Sequence, residues 1–214
     1  MFAVQYILGA LLGYLLGSLP TGFLVAQARG VDIRRLGSGN IGATNAFRVL
    51  GRTAGTLVLV VDGLKGYAAC TWMVDALLRW QGLTPEGGEP VRIVAGVCAV
   101  LGHSFTCWLR FKGGKGVATS AGVFFALAPL ATGIGLATWV IVFAISRYVS
   151  LASIVASIVL PAAAWLTPNS LGLRLVTSAM GVTVIWRHKS NIQRLLQGTE
   201  HRFGRKHPAP EAAK

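Results

Sequence analysis

The chain has 214 residues, 53% of them hydrophobic and only 13% charged, with a formal net charge of +13. Soluble domains carry about 25% charged residues, so an ordinary soluble class is excluded and an integral membrane class is indicated. A nucleic-acid binder is set aside too, because the basic residues punctuate apolar runs and form no continuous polar face.

A membrane-crossing helix needs roughly 20 apolar residues. The first run covers residues 4–26 and carries Gly9, Gly13 and Gly17 at a spacing of four, which suits close helix packing in lipid. It has neither a basic segment before it nor a clear A-x-A site, so it reads as a span and not as a cleaved signal. A polar, glycine-rich loop follows over 29–52. The second span is expected at 54–78, with Asp62, Lys65 and Asp75 inside it, and the third at 93–109.

The stretch 117–146 is long for one span and is interrupted by Pro129, Gly133 and Gly135. It is read as two short helices, 118–130 and 132–146. Two further spans are expected at 149–166 and 171–186, separated by Thr167-Pro168-Asn169. The predicted fold is an all-α membrane bundle of seven transmembrane helices. Residues 1–200 form one domain, and residues 201–214 form a basic tail expected to be disordered.

Charge sets the orientation. Of the 20 lysines and arginines, 16 fall in the loop 29–52, in 110–116, at Arg147 and in the tail. Those segments are predicted to be cytoplasmic, which leaves the N-terminus outside. The three cysteines, Cys70, Cys98 and Cys107, match no zinc spacing and are read as small buried apolar residues.

Three polar segments fall on that cytoplasmic side. The first, residues 37–48, holds Gly37, Ser38, Gly39, Asn40, Gly42, Thr44, Asn45 and Arg48. Glycines let backbone amides approach an anion, hydroxyl and amide side chains add donors, and arginine offers a planar fork to phosphate. Its G-x-G-x-x-G spacing, with Asp62 about 20 residues on, is not read as a dinucleotide site, because no strand precedes it. A plain interfacial loop of small residues is the competing reading.

The second segment holds Lys112, Gly113, Gly114, Lys115 and Gly116. Gly116 stands where a Walker A loop needs Ser or Thr, so only the weaker idea of an anion-friendly loop before a helix remains. Lys112 reads as an anchor to the membrane surface and Lys115 as functional. In the third segment, just past the last span, His188 and Asn191 sit three apart, on one face if the helix continues. Asp62 and Lys65, also three apart, read either as an ion pair fixing helix packing or as a functional pair. His103 reads as interfacial.

Taken in order, GSLPTG from Gly17, GSGNIGATNAFR from Gly37, GHSFTCWLRFKGGKGVAT from Gly102 and RHKSNIQRLLQGTE from Arg187 cover most of the chain. They resemble the signatures of the bacterial membrane glycerol-3-phosphate acyltransferases that use acyl phosphate as donor. The resemblance implies transfer of a fatty acyl group to the 1-hydroxyl of glycerol 3-phosphate, at the cytoplasmic face of the inner membrane, in a seven-span fold. It implies that Ser38, Arg48, Lys115, His188 and Asn191 belong to the active site. The phosphate pockets would be shaped by Gly37, Gly39, Asn40, Gly42, Thr44, Asn45, Gly113, Gly114 and Gly116. Thr106 stands where proline is expected. The H-x-x-x-x-D pattern of thioester-dependent acyltransferases is absent, since Trp108 follows His103 and Gln193 follows His188 at the acid position.

The expected substrates are acyl phosphate and glycerol 3-phosphate, in contact with membrane lipid. No metal, cofactor, nucleic acid or obligate protein partner is expected. A transporter of a phosphorylated solute is the alternative, and it would need inverted repeats and a polar site at the midplane. A scaffold binding anionic lipid would account for the basic tail but not for the glycine loops.

Overall fold

A computed structural model describes residues 2–204, and among these the structure is helical with no strand. The first apolar run is α1 (Phe2–Ser18) and α2 (Thr21–Gln27), broken at Leu19 and Pro20. Proline removes a helical donor and crowds the residue before it. After the glycine-rich loop, α3 (Ala43–Leu50) leads into α4 (Arg52–Cys70) and α5 (Trp72–Trp80). α6 (Glu89–Ser104) ends in a short turn over Cys107–Leu109. α7 (Val117–Leu127), α8 (Pro129–Ser146), α9 (Val149–Leu166), α10 (Leu171–Arg187) and α11 (Lys189–Leu196) follow.

Among the described residues, five helical runs are long and apolar enough to cross a membrane: Ala3–Gln27, Arg52–Trp80, Glu89–Leu109, Pro129–Ser146 and Val149–Leu166. α7 has 11 residues and α10 has 17. At 1.5 Å per residue α7 is about 16 Å long, roughly half the hydrocarbon thickness. The break expected within 117–146 falls at Ala128, with Pro129 at the first position of α8, so Leu130 belongs to the second helix of the pair. The exterior is apolar: Leu166 is 87% exposed and Ile145 78%, as lipid-facing side chains are.

Small residues set the packing. A Cβ on Gly13 would lie 2.4 Å from the Ala95 carbonyl oxygen, and one on Gly17 2.0 Å from that of Ala99. The glycine stripe of α1 therefore lies directly on the backbone of α6. α4 and α7 meet in the same way, since a Cβ on Gly66 would lie 2.2 Å from Thr119 O and one on Gly122 1.9 Å from Gly63 O.

Asp75 is paired with Arg92 from the start of α6. Two sequence expectations are corrected. Cys107 is exposed, because it sits in the turn after α6, whereas Cys70 is buried and Cys98 lies between. His103 is 6% exposed and lies inside the bundle, because the chain folds back over the end of α6.

Candidate active site

The loop 37–42 is organised by asparagine. Buried Asn45 accepts from the Ser38 amide (2.9 Å) and donates to the carbonyls of Leu36 (3.0 Å) and Asn40 (2.9 Å). Asn40 Oδ1 in turn accepts from the Gly42 amide at 2.8 Å. Gly37 has φ +59°, and a Cβ there would meet Asn45 Oδ1 at 2.3 Å. Asn40, Asn45 and Gly37 thus give the loop its shape. Ser38 and Thr44 keep exposed side chains, with Arg48 one turn beyond Thr44 on α3.

The second glycine segment folds onto the end of α6. The Gly113 amide donates to Ser104 O and the Gly114 amide to His103 O, each at 3.1 Å. These two glycines therefore do not offer their amides to an anion, as the sequence reading supposed. They allow close approach: a Cβ on Gly113 would lie 2.0 Å from His103 O, and one on Gly114 2.1 Å from His103 Nε2. Gly116, at φ +79°, turns the chain into α7. From the other side, Arg187 donates to Gly114 O at 2.6 Å and lies over the Phe105 ring at 5.1 Å. Lys112 is exposed.

Lys115 leaves this loop and donates to Asn191 Oδ1. Asn191 Nδ2 donates to Glu200 Oε1 at 2.7 Å. Glu200 also accepts from Ser150 Oγ (2.9 Å) and from Arg194 Nε (2.7 Å). Burial opposes ionisation of Glu200, yet the hydrogen bonds from Asn191, Arg194 and Ser150 hold its carboxyl below the usual value. Burial, with Arg194, Arg187 and Arg48 nearby and Glu200 opposing, pulls Lys115 down to about 8. Arg48 is lowered by burial and by Arg194, and held up by Glu200. One carboxylate therefore stands among three cationic side chains, Arg194, Lys115 and Arg48, a surplus suited to a phosphate dianion.

His188 sits between α10 and α11, so the helix does not run on past it, yet it and Asn191 are both buried. His188 Nδ1 lies 2.8 Å from Val184 O. A carbonyl can only accept, so Nδ1 carries the proton and Nε2 the lone pair. Burial first, then repulsion from Lys115, lowers the imidazole to about 4, against the Val184 bond.

Arg48, Lys115, His188 and Asn191 thus meet around Glu200, from α3, the glycine loop and the α10–α11 junction. Ser38 belongs to the loop Asn45 ties down. Sequence reasoning missed Glu200, Ser150 and Arg187. The signal for Glu200 was an acid within an otherwise basic stretch, 187–206.

Asp62 and Lys65 form an ion pair at 2.8 Å, 2% and 4% exposed respectively. Thr21 Oγ1 donates to Asp62 at 3.0 Å, and Lys65 Nζ donates to Leu19 O at 2.8 Å. Thr106 Oγ1 donates to Ser18 O at 2.6 Å, so this cluster and Thr106 together bond the carbonyls at the break in the first span. Thr106 has φ −64°, a value proline also takes, so the departure from the expected proline leaves the turn intact. No three His, Cys, Asp or Glu side chains gather as a metal site among the described residues.

Fold and site define an integral membrane protein with a cationic cluster at one end of a helical bundle. A family model described as glycerol-3-phosphate acyltransferase matches residues 7–198. The chain is 46% identical over 190 residues to the glycerol-3-phosphate acyltransferase of Trichlorobacter lovleyi, covering 89% of this chain and 93% of that protein. It is 46% identical over 199 residues to that of Rubrobacter xylanophilus, covering 92% and 95%. Among solved structures it is similar to the glycerol 3-phosphate form of PlsY, an integral membrane glycerol 3-phosphate acyltransferase. That match has a TM-score of 0.83 and 39% identity, covering 93% of this chain and 96% of that one. The lysophosphatidic acid form gives a TM-score of 0.81 at 38% identity, covering 93% and 95%. The chain belongs to the glycerol-3-phosphate acyltransferase family.

Proposed function

We propose that the chain moves a fatty acyl group from acyl phosphate to the 1-hydroxyl of glycerol 3-phosphate. The products are 1-acylglycerol 3-phosphate and inorganic phosphate. The observation that carries this reading is the Lys115–Asn191–Glu200 chain with Arg48 beside it, which joins three separate motifs into one cationic pocket.

In this reading the hydroxyl oxygen attacks the acyl carbon, the bond from that carbon to the phosphate oxygen breaks, and phosphate leaves. Arg48 and Lys115 neutralise the phosphates, the loop around Ser38 and Thr44 borders the pocket, and Asn191 fixes Lys115. Phosphate is already a stable leaving group, so positioning and charge neutralisation supply much of the rate. The hydroxyl proton goes to a phosphate oxygen. His188, at about 4, is a weak base at neutral pH, whereas a phosphate titrates near 6. His188 Nε2 then serves to orient the hydroxyl.

The membrane arrangement that fits has seven crossings: α1–α2, α4–α5, α6, α7, α8, α9 and α10. The N-terminus lies outside and the pocket faces the cytoplasm at a bacterial inner membrane. The concentration of basic residues in 29–52, 110–116, Arg147 and the tail supports this orientation. The tail expected to be disordered from residue 201 is ordered at its start: Phe203 packs edge-on against Phe143, and its amide donates to Arg147 O at 2.9 Å. Residues 205–214 of it lie outside the described residues.

The test is phosphate release from a long-chain acyl phosphate by the purified chain, with and without glycerol 3-phosphate, and with acyl-CoA in parallel. Release that depends on the acceptor, is specific to acyl phosphate, and is lost in Lys115→Ala and Arg48→Ala is the expected result. A folded sample that releases no phosphate would overturn the reading.

A further inference from the structure

Beneath the glycine loop lies the buried group Thr21, Asp62, Lys65 and His103, which the reaction as described does not use. These side chains are all at most 9% exposed. Asp62 Oδ1 is held by Lys65 at 2.8 Å and by Thr21 at 3.0 Å, so its place is fixed by two helices. His103 Nδ1 faces the same oxygen at 3.6 Å and has no hydrogen-bond partner among the described residues. The opposite edge of that ring is where Gly114 lies, so close that a Cβ there would stand 2.1 Å from Nε2. The next residue is Lys115.

We propose that Asp62 and His103 are positioning residues for acyl transfer: the carboxylate orients the imidazole, and the imidazole is the floor that sets where Gly114, and hence the Lys115 amine, sits. Two features set this apart from ordinary packing. A buried charged pair is expensive in a membrane span, and apolar residues of the same volume would pack α4 as well. The contact also falls on one backbone position, the glycine immediately before the lysine that reaches Asn191.

This inference rests on the proposed role of Lys115, so one readout must work without turnover. The pH dependence of Lys115 acetylation, followed by mass spectrometry on the purified full chain, reports the surroundings of the amine directly. The variants are His103→Phe, whose longer ring cannot bond Asp62 and reaches further toward Gly114, and Asp62→Asn, which keeps the side-chain volume. Both are expected to move the Lys115 midpoint from about 8 toward the ordinary 10.5, with Lys112 and Lys189 unchanged. In the acyl-transfer assay both are expected to lose at least about tenfold in kcat/KM. His103→Phe leaves the Asp62–Lys65 pair in place, so it carries the test if Asp62→Asn does not fold. An unchanged midpoint in His103→Phe, or an unchanged kcat/KM in that variant, would overturn the proposal. Absence of acyl transfer in the unaltered chain would overturn the functional reading instead, and the acetylation midpoints would still decide the positioning role.

Discussion

Arg187 donates to the carbonyl of Gly114, 73 residues earlier in the chain, at 2.6 Å. The same nitrogen lies 3.3 Å from Gly113 O, and the guanidinium covers the face of Phe105. The glycine loop is therefore clamped from α10 as well as supported by the end of α6. Arg187→Lys keeps the charge but replaces a planar fork that can stack and bond at once with a single ammonium. Turnover is expected to fall by roughly tenfold, as a bond from a charged donor to a loop carbonyl is lost. Kinetics of Arg187→Lys beside Arg187→Ala check this: equal losses identify geometry as the cause, and full activity in the lysine variant refutes it.

Lys115 gives the pH dependence its sign. Its amine is pulled down to about 8 by burial, so the charged form that neutralises phosphate is present below that value and lost above it. A profile of kcat/KM is expected to fall as pH rises through about 8. Bound phosphate favours the cation, so the corresponding limb of kcat lies at higher pH. In Lys115→Arg the limb should vanish from the accessible range, because arginine keeps its proton there.

His188 should contribute no titration near neutrality. Its imidazole is held neutral, at about 4, with Nδ1 bonded to Val184 O. His188→Gln preserves a polar side chain of similar reach. It is expected to lower kcat while leaving any acid limb near pH 6 in place, since that limb belongs to substrate phosphate. Loss of that limb in the variant would make His188 the base.

Gly17 and Gly133 test the packing of the bundle. A Cβ on Gly17 would lie 2.0 Å from the Ala99 carbonyl, whereas one on Gly133 meets nothing within 4 Å. Gly17→Ala is expected to lower stability by about 1–3 kcal/mol, read as a lower Tm in detergent. Gly133→Ala, inside α8, is expected to be neutral or slightly stabilising. A Gly17→Ala variant with an unchanged Tm would contradict the α1–α6 contact.

The five long apolar helical runs were legible because lipid demands such runs, and the α7–α8 break was legible because Pro129 cannot continue a helix. The three phosphate-friendly segments were visible as composition. What the sequence did not reveal is where their hydrogen bonds go. Gly113 and Gly114 look like anion-binding amides until His103 and Ser104 are seen to accept from them. Glu200 is separated from Ser150 by 50 residues and from Lys115 by more, and no periodicity reports such a distance. Asp62 and Lys65 were visible as a pair three apart, but their meeting with Thr21, Leu19 and His103 depends on how three spans pack.

The Asp62–Lys65 pair also bears on how the chain enters the membrane. After Arg52 at its start, α4 carries Asp62 and Lys65 within its apolar run, which makes it a reluctant segment to release into lipid alone. The groups that receive them, the Thr21 hydroxyl and the Leu19 carbonyl, lie in the span synthesised before it. The break at Leu19–Pro20 offers these side chains polar partners, so insertion of the second span is expected to depend on the first already being in place.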